Sequence, residues 1–185
     1  EWLSSDFDFS TLVLAGDIGG TNANLALVGE KAGTYTIMLK CSHKSGDIDG
    51  LEQPLLDMIS HIKEKNSAVN IDLCCISAAG PVDNNYCKLT NCAWDVDGNA
   101  IEKSLGIKTL IINDFLAIGY GIPTLDVNNP EQITKLAATD GTYPEAGGNV
   151  KAVAGAGTGL GVGYLIASAG TYRAHPSEGG HSGFA

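Results

Sequence analysis

The sequence has little basic charge. Its 185 residues include 11 lysines and arginines against 21 aspartates and glutamates, which gives a formal net charge of −10. A nucleic-acid surface neutralises phosphates with clustered Lys and Arg, so this balance argues against a nucleic-acid partner. We expect a protein of this charge to bind any phosphate locally, with backbone amides and a metal ion.

Long apolar runs and CxxC cysteine pairs are also missing from the sequence. There is no run of about 18 apolar residues, as a membrane-spanning helix would need, and the N-terminal EWLSSDFDF is acidic, unlike the basic start of a secretion signal. The five cysteines include no CxxC pair, which favours reduced core thiols. These absences predict a soluble, cytoplasmic protein without a membrane partner.

Two segments share one design. Residues 11–28, TLVLAGDIGGTNANLALV, are an apolar run, a glycine-rich turn and a second strand with alternating apolar residues, which predicts a β-hairpin. Residues 149–168, NVKAVAGAGTGLGVGYLIAS, repeat this pattern about 140 residues later. The repetition indicates a duplicated architecture in which each half supplies one glycine loop.

The segments between the hairpins predict an α/β layer. Apolar residues at helical spacing from Leu51 to Ile62 predict a helix that begins after Gly50 and ends near Lys65. Pro54 is suited to the first turn of this helix. A buried strand is expected within 71–80, and a second one at 108–112. Between these strands, Asp97 is suited to cap a helix that ends at Gly106.

A domain boundary is predicted after residue 123. Residues 123–149 hold three of the six prolines and the stretch DGTYPEAGGN, which is typical of a connection with little helix. We therefore expect a small N-terminal α/β domain at 1–123, and a connection with the start of a larger α/β domain at 124–185.

The two glycine loops are candidate phosphate sites. GDIGGTN and GAGTGLG place small residues where successive backbone N–H groups can form an anion-binding concavity, although each is also compatible with an ordinary tight hairpin. A dinucleotide fingerprint needs a helix directly after its glycines, and a P-loop needs GK[ST], so neither motif fits. Asp17 in the first loop is suited to hold Mg²⁺ through water, or to stabilise the turn.

Asn113 and Asp114 form a polar pair directly after the apolar run LII. A carboxylate there is costly unless it is paired, solvated or used. The carboxyl ends of strands are where open α/β sheets bind ligands, so Asp114 is a candidate general base. It is equally suited to cap the helix that FLAIG predicts, and the two roles can coexist.

The segment SEGGHSGF places Glu178 and His181 three residues apart, with two glycines between them. On a glycine-rich loop both side chains can converge on one small polar ligand. A metal site that adds His175 is the weaker hypothesis, because Pro176 and the glycines disfavour the helix that such spacing needs.

These motifs together resemble the bacterial-type glucokinases of the actin, sugar-kinase and heat-shock-ATPase superfamily. The matching segments, in the order of that family, are GDIGGTNANLAL, ISAAGPV, LTNCAW, IINDFLA, GAGTGLGVG and EGGHSGFA. The resemblance implies an α/β, actin-like and ribonuclease H-like ATPase fold. It implies a complete or nearly complete small domain, followed by the opening strands of the second.

The resemblance also implies ATP-dependent phosphorylation of glucose to glucose 6-phosphate, with Mg²⁺ and with a homodimer as the family's assembly. It assigns the catalytic base to Asp114. The implied sugar-binding residues are Asn113, Asp114, Glu178, His181, Thr90 and Asn91. The implied phosphate-binding residues are Gly16, Asp17, Gly19, Gly20, Thr21 and Asn22 in the first loop, and Gly157, Thr158 and Gly159 in the second.

Family chains continue well past the segment that matches HSGFA. We therefore expect this chain to be the N-terminal part of a glucokinase, with full activity requiring sequence beyond residue 185. Two alternatives remain open at this point. One is a non-catalytic sugar- or phosphate-binding module on the same scaffold, and the other is a kinase for another hexose or with another phosphoryl donor.

Overall fold

The computed structural model describes residues 1–89, 92–143, 147–156, 160–177 and 179–183, with only the backbone of His181. The chain divides into two compact units, Glu1–Asp114 and Phe115–Ala185. All five cysteines lie in the first unit and are free thiols. Among the residues that the structure describes, no helix has the length and apolar character needed to cross a membrane.

The first unit is a five-stranded mixed sheet with two helices. Its elements in chain order are β1 (Thr11–Ile18), β2 (Asn22–Lys31), β3 (Thr34–Lys44), α1 (Glu52–Lys65), β4 (Leu73–Ala78), β5 (Val82–Asp83), β6 (Tyr86–Cys87), β7 (Val96–Asp97), α2 (Gly98–Leu105) and β8 (Thr109–Asn113). The main sheet has the order β3-β2-β1-β4-β8, and β5, β6 and β7 form a small separate sheet. The predicted hairpin of β1 and β2 is confirmed, and β3 extends it.

The buried residues of this unit recur at the spacing expected for strands and helices. In β1, Leu12 and Leu14 are buried at a spacing of two, and in α1, Leu55, Met58 and Ile62 are buried at helical spacing. These side chains belong to one hydrophobic cluster. Each fully buried Leu or Ile contributes about 1.5–3 kcal/mol relative to exposure, so the cluster is the main force that holds α1 on the sheet.

Both predicted ends of α2 are confirmed. The Asp97 side chain accepts hydrogen bonds from the backbone N–H groups of Asn99, at 2.9 Å, and Ala100, at 3.1 Å. At the other end, Gly106 has φ of 67°, a left-handed conformation that glycine adopts without strain. The helix therefore stops where β8 must begin.

Strand direction determines where the functional residues meet. β1 and β8 are both parallel to β4, with Ile18 opposite Ala78 and Ala78 opposite Asn113. The carboxyl ends of the three strands therefore lie at one edge of the sheet. That edge carries Asp17 and the Asn113–Asp114 pair.

The second unit is a three-stranded antiparallel sheet with one helix. Its elements are α3 (Asp114–Gly121), which begins with the last residue of the first unit, β9 (Val150–Ala156), β10 (Leu160–Ser168) and β11 (Thr171–Ser177), in the sheet order β11-β10-β9. The second predicted hairpin is thus confirmed. Between residues 125 and 149, the part that the structure describes contains neither helix nor strand.

The core of the second unit explains its division from the first. Val153, Leu165 and Ala174 are buried together, and Leu116 and Ile122 pack against them. The helix α3 therefore packs with β9–β11, and the second unit begins at Phe115. The domain boundary after residue 123 stays a prediction.

Candidate active site

Asp17 lies near the end of β1 and next to a buried hydroxyl. Its register partners are Asn24 on β2 and Ser77 on β4. The Ser77 Oγ donates a hydrogen bond to Asp17 Oδ1 over 3.2 Å, and Ser77 is buried whereas Asp17 is exposed. The carboxylate is therefore oriented by the protein and still open to solvent.

The first glycine loop follows directly after β1. Gly19 N donates to Asn22 O over 2.9 Å, which closes the turn, and Gly20 and Thr21 at its tip are exposed. The Lys44 ammonium donates to Asn22 Oδ1 over 3.0 Å and brings a positive charge to the loop. Exposed loop backbone and a nearby cation are suited to bind an anion such as phosphate.

Asn113 and Asp114 form a hydrogen-bonded pair at the end of β8. The Asn113 Nδ2 donates to Asp114 Oδ1 over 3.0 Å and to Gly80 O over 3.1 Å. Both residues are half-buried, and Asp114 is the first residue of α3. A carboxylate in the first turn of a helix is favourably placed, so a helix-terminal role and a catalytic role are compatible.

The charge of this carboxylate affects the pKa of the Cys87 thiol. Burial first, and then the negative charges of Asp114 and Asp95, raise the pKa of the Cys87 thiol. Cys87 therefore stays protonated at neutral pH and adds no competing negative charge beside Asp114.

Several predicted site residues lie in the remaining part of the chain. Outside the described residues lie Thr90, Asn91, Gly157, Thr158, Gly159 and Glu178, together with the side chain of His181. Their roles stay predictions. The backbone of the short helical turn Gly179–His181 is described, and a Cβ at Gly180 would lie 1.7 Å from the carbonyl oxygen of Leu160. This turn therefore contacts the start of β10, directly after the second glycine loop.

The first and last glycines of the segment GAGTGLG have a packing role. A Cβ added at Gly161 would lie 1.8 Å from Phe115 Cε2, and one at Gly155 would lie 3.1 Å from Phe115 Cζ. The Phe115 ring therefore leaves no room for a side chain at residue 161, and only a tight fit for a methyl group at residue 155. Nothing in the local sequence pattern distinguishes this requirement from phosphate binding.

The described residues contain no group of three or more His, Cys, Asp or Glu side chains that could hold a metal ion. The oriented, exposed carboxylate of Asp17 nevertheless fits a Mg²⁺ ion that keeps most of its own water, because such an ion needs only one or two carboxylates besides substrate phosphates. The three-residue metal hypothesis rests on Glu178 and the His181 side chain, which lie outside the described part.

A groove of about 590 Å³ lies beside the first loop in the same unit. Asp17, Asn24 and Ser42 belong to its lining, whereas Asn113 and Asp114 do not, and most of the lining is apolar. The groove therefore includes Asp17 but not the Asn113–Asp114 pair, so only part of the candidate site lines it.

Sequence reasoning missed Ser77 and Gly80. Ser77 is a polar residue in the apolar strand that ends in ISAAG, which is the same pattern that drew attention to Asn113. Gly80 accepts the bond from Asn113, and a Cβ there would lie 2.9 Å from the carbonyl oxygen of Lys88. The pattern could have identified Ser77, but the contact of Gly80 depends on tertiary packing.

In sequence, the chain is similar to known glucokinases. A glucokinase family model matches residues 14–185. A glucokinase of Nostoc punctiforme is 38% identical over 180 residues, which cover 95% of this chain and 49% of that protein. The chain spans about half the length of the curated relatives it matches.

Solved structures show the same fold. A glucokinase from an Antarctic psychrotroph superposes with a TM-score of 0.73 at 30% identity, over 97% of this chain and 53% of that one. A ROK family glucokinase from Streptomyces griseus, solved with glucose and AMPPNP, superposes with a TM-score of 0.54 at 20% identity, over 88% of this chain and 46% of that one. The fold is the α/β, actin-like ATPase fold, and with the family model matching nearly its whole length, the chain belongs to the glucokinase family.

Proposed function

We propose that the protein that contains this chain transfers the γ-phosphoryl group of ATP to the 6-hydroxyl of glucose, giving glucose 6-phosphate and ADP. The observation that carries this proposal is the shared sheet edge, where the hydrogen-bonded Asn113–Asp114 pair and the Asp17 loop both follow parallel strands. The Streptomyces griseus glucokinase, solved with glucose and an ATP analogue, supports the choice of substrates.

In this proposal Asp114 is the general base. The bond from Asn113 Nδ2 to Asp114 Oδ1 fixes the orientation of the carboxylate before the substrate arrives. The carboxylate accepts the proton of the 6-hydroxyl as the sugar oxygen forms its bond to the γ-phosphorus and the bond to the β-phosphate oxygen breaks. Orientation and charge neutralisation supply most of the catalysis in such a loose transition state.

The first glycine loop would bind the phosphates through its backbone amides, and Asp17 would hold Mg²⁺ through water. When bound, Mg²⁺ neutralises charge that develops on the phosphate oxygens. The contribution of the chain is to keep Asp17 oriented, which Ser77 does by its hydrogen bond.

The remaining assignments are part of the same proposal. Glu178 and His181 would bind hydroxyls at the anomeric end of the sugar, Thr90 and Asn91 would line its small-domain side, and Gly157–Gly159 would form the second phosphate loop. The five free thiols are compatible with a reducing compartment, so we place the reaction in the cytoplasm. A homodimer stays a prediction of the family resemblance.

The test is glucose-dependent ADP formation from MgATP by the full-length protein, with Asp114→Asn as the variant. Loss of the proton acceptor should lower kcat by about 100-fold or more, while glucose binding measured by calorimetry is retained. Asp49→Asn, which removes an exposed carboxylate of the same type, is the matched control and should not change kcat.

Each outcome decides between hypotheses. Unchanged turnover in Asp114→Asn would exclude Asp114 as the base. Glucose binding without any turnover by the wild-type protein, and without any effect of nucleotide on the affinity, would instead support a sugar-binding module. Faster turnover of another hexose would show that this hexose, rather than glucose, is the preferred substrate.

A further inference from the structure

Ser45 is a buried polar residue that contacts the first glycine loop twice. It is 2% exposed. Its Oγ donates to the carbonyl oxygen of Gly19 over 2.7 Å, and its backbone N–H donates to the carbonyl oxygen of Thr21 over 3.0 Å. Both hydrogen-bond donors of this buried residue therefore hold the backbone on either side of Gly20.

Trp94 holds Ser45 in turn. Trp94 is 9% exposed, and its indole Nε1 donates to the backbone carbonyl oxygen of Ser45 over 2.8 Å. The Cys92 Sγ lies 3.8 Å from the Gly19 carbonyl oxygen and 3.9 Å from that of Gly20. The segment 92–94 thus contacts the loop directly through Cys92 and indirectly through Ser45.

Such support is needed because the loop is rich in glycine. Glycine loses more conformational freedom on ordering than any other residue, so the turn at Gly19 and Gly20 would be mobile without outside contacts. A phosphate site made of backbone amides works only when those amides are held in one arrangement. The hydrogen bonds from Ser45 to two loop carbonyl groups fix the peptide planes of the loop. They therefore also fix the directions of the loop N–H groups.

We propose that Ser45 and Trp94 are positioning residues, which hold the first glycine loop in its phosphate-binding conformation and link it to the segment that follows Thr90 and Asn91. This inference rests on the proposed function, because the phosphate is taken to be that of ATP. Neither residue is assigned a contact with substrate. The link connects Cys92 and Trp94, which follow Thr90 and Asn91 in the sequence, to the phosphate loop within the first unit.

The kinetic test uses two variants of the full-length protein and two matched controls. Trp94→Phe keeps an aromatic ring and removes the indole donor, and its control Trp2→Phe removes an indole donor from the bond to His61 Nε2 on α1. Ser45→Ala removes the buried hydroxyl, and its control Thr109→Val removes another buried hydroxyl, which donates to the backbone carbonyl oxygen of Ile107.

We expect both test variants to raise KM for ATP by about tenfold, as the loss of one buried hydrogen bond would. KM for glucose should change by about twofold or less, and the controls should match the wild type. In the double variant, the fold-increase in KM for ATP should be smaller than the product of the two single fold-increases, because both residues act through one loop. Ser45→Thr keeps a hydroxyl, so its KM for ATP should rise less than that of Ser45→Ala.

A second measurement is independent of activity. Hydrogen exchange at the amides of residues 19–22 should be faster in Trp94→Phe and Ser45→Ala, with unchanged exchange in the cores of β1 and β4. If the wild-type protein shows no turnover, the proposed function fails while the exchange still tests the support of the loop. Loop exchange in both variants equal to that of the controls, or equal rises in KM for both substrates, would overturn the inference.

Discussion

Asn113 and Asp114 are joined by a side-chain hydrogen bond of 3.0 Å, and the donor nitrogen of Asn113 also bonds to the Gly80 carbonyl oxygen. One amide group thus connects the candidate base to the chain that leaves β4. The direction of the carboxylate therefore depends on two neighbouring strands, β4 and β8, and on more than the local sequence.

The first prediction concerns that amide. Asn113→Asp replaces the donor with a second negative charge, which disfavours the ionised form of Asp114. Because the proposed base acts when ionised, the acidic limb of the pH profile of kcat/KM should move to higher pH, and the rate at neutral pH should fall. The measurement is glucose phosphorylation across pH in the full-length protein. Asn70→Asp makes the same change beside Asp72, at the other end of the sheet, and an equal shift there would refute the prediction.

The second prediction concerns the orientation of Asp17. Ser77→Ala removes the hydroxyl that donates to Asp17 Oδ1, so the carboxylate should hold a hydrated Mg²⁺ less well. We expect the Mg²⁺ concentration for half-maximal rate to rise by about threefold to tenfold. The measurement is a Mg²⁺ titration at fixed ATP and glucose. Ser10→Ala, at an exposed position before β1, is the control and should leave the titration unchanged.

The third prediction concerns packing in the second unit. In Gly161→Ala the new methyl group would overlap the Phe115 ring, so the side chain and strand must shift. Such overpacking should lower the free energy of unfolding by about 1–3 kcal/mol. Gly121→Ala is the control, since its Cβ meets open space and its φ is −72°. Equal urea midpoints for the two variants would show that Phe115 does not restrict residue 161.

The fourth prediction concerns pH and stability. Burial raises the pKa of the Cys74 thiol from an ordinary 9.0 to about 12. The unfolded chain therefore loses this proton at lower pH than the folded protein, so stability should fall as pH rises above 9. The urea midpoint should decrease between about pH 8 and pH 10.5, with a shallower decrease in Cys74→Ala. Identical slopes would mean that Cys74 does not cause the change.

Local pattern was sufficient for much of the fold. Period-two runs around glycine turns predicted both hairpins, and helical spacing predicted α1. The caps of α2 followed from Asp97 and Gly106, because a capping oxygen and a left-handed glycine act within a few residues of the helix end. The family and the fold followed from motif order, which the comparisons confirmed.

The edge strands were harder to anticipate. β3 pairs with β2 through a register shift after Leu27, which interrupts its alternation, and β11 contains Pro176. A proline at the edge of a sheet is tolerated because one side of that strand needs no ladder bonds. Patterns of this kind are ambiguous until the neighbouring strand is known.

The sequence by itself determined the local elements, the turn chemistry and the polar pair that ends β8. Only the tertiary structure decided that Ser77 meets Asp17 across 60 residues, that Trp94 reaches Ser45, and that Phe115 fills the space beside Gly161. The reason is physical. A cap or a turn depends on neighbours in the chain, whereas these contacts exist only after distant strands have paired and the core has closed around them.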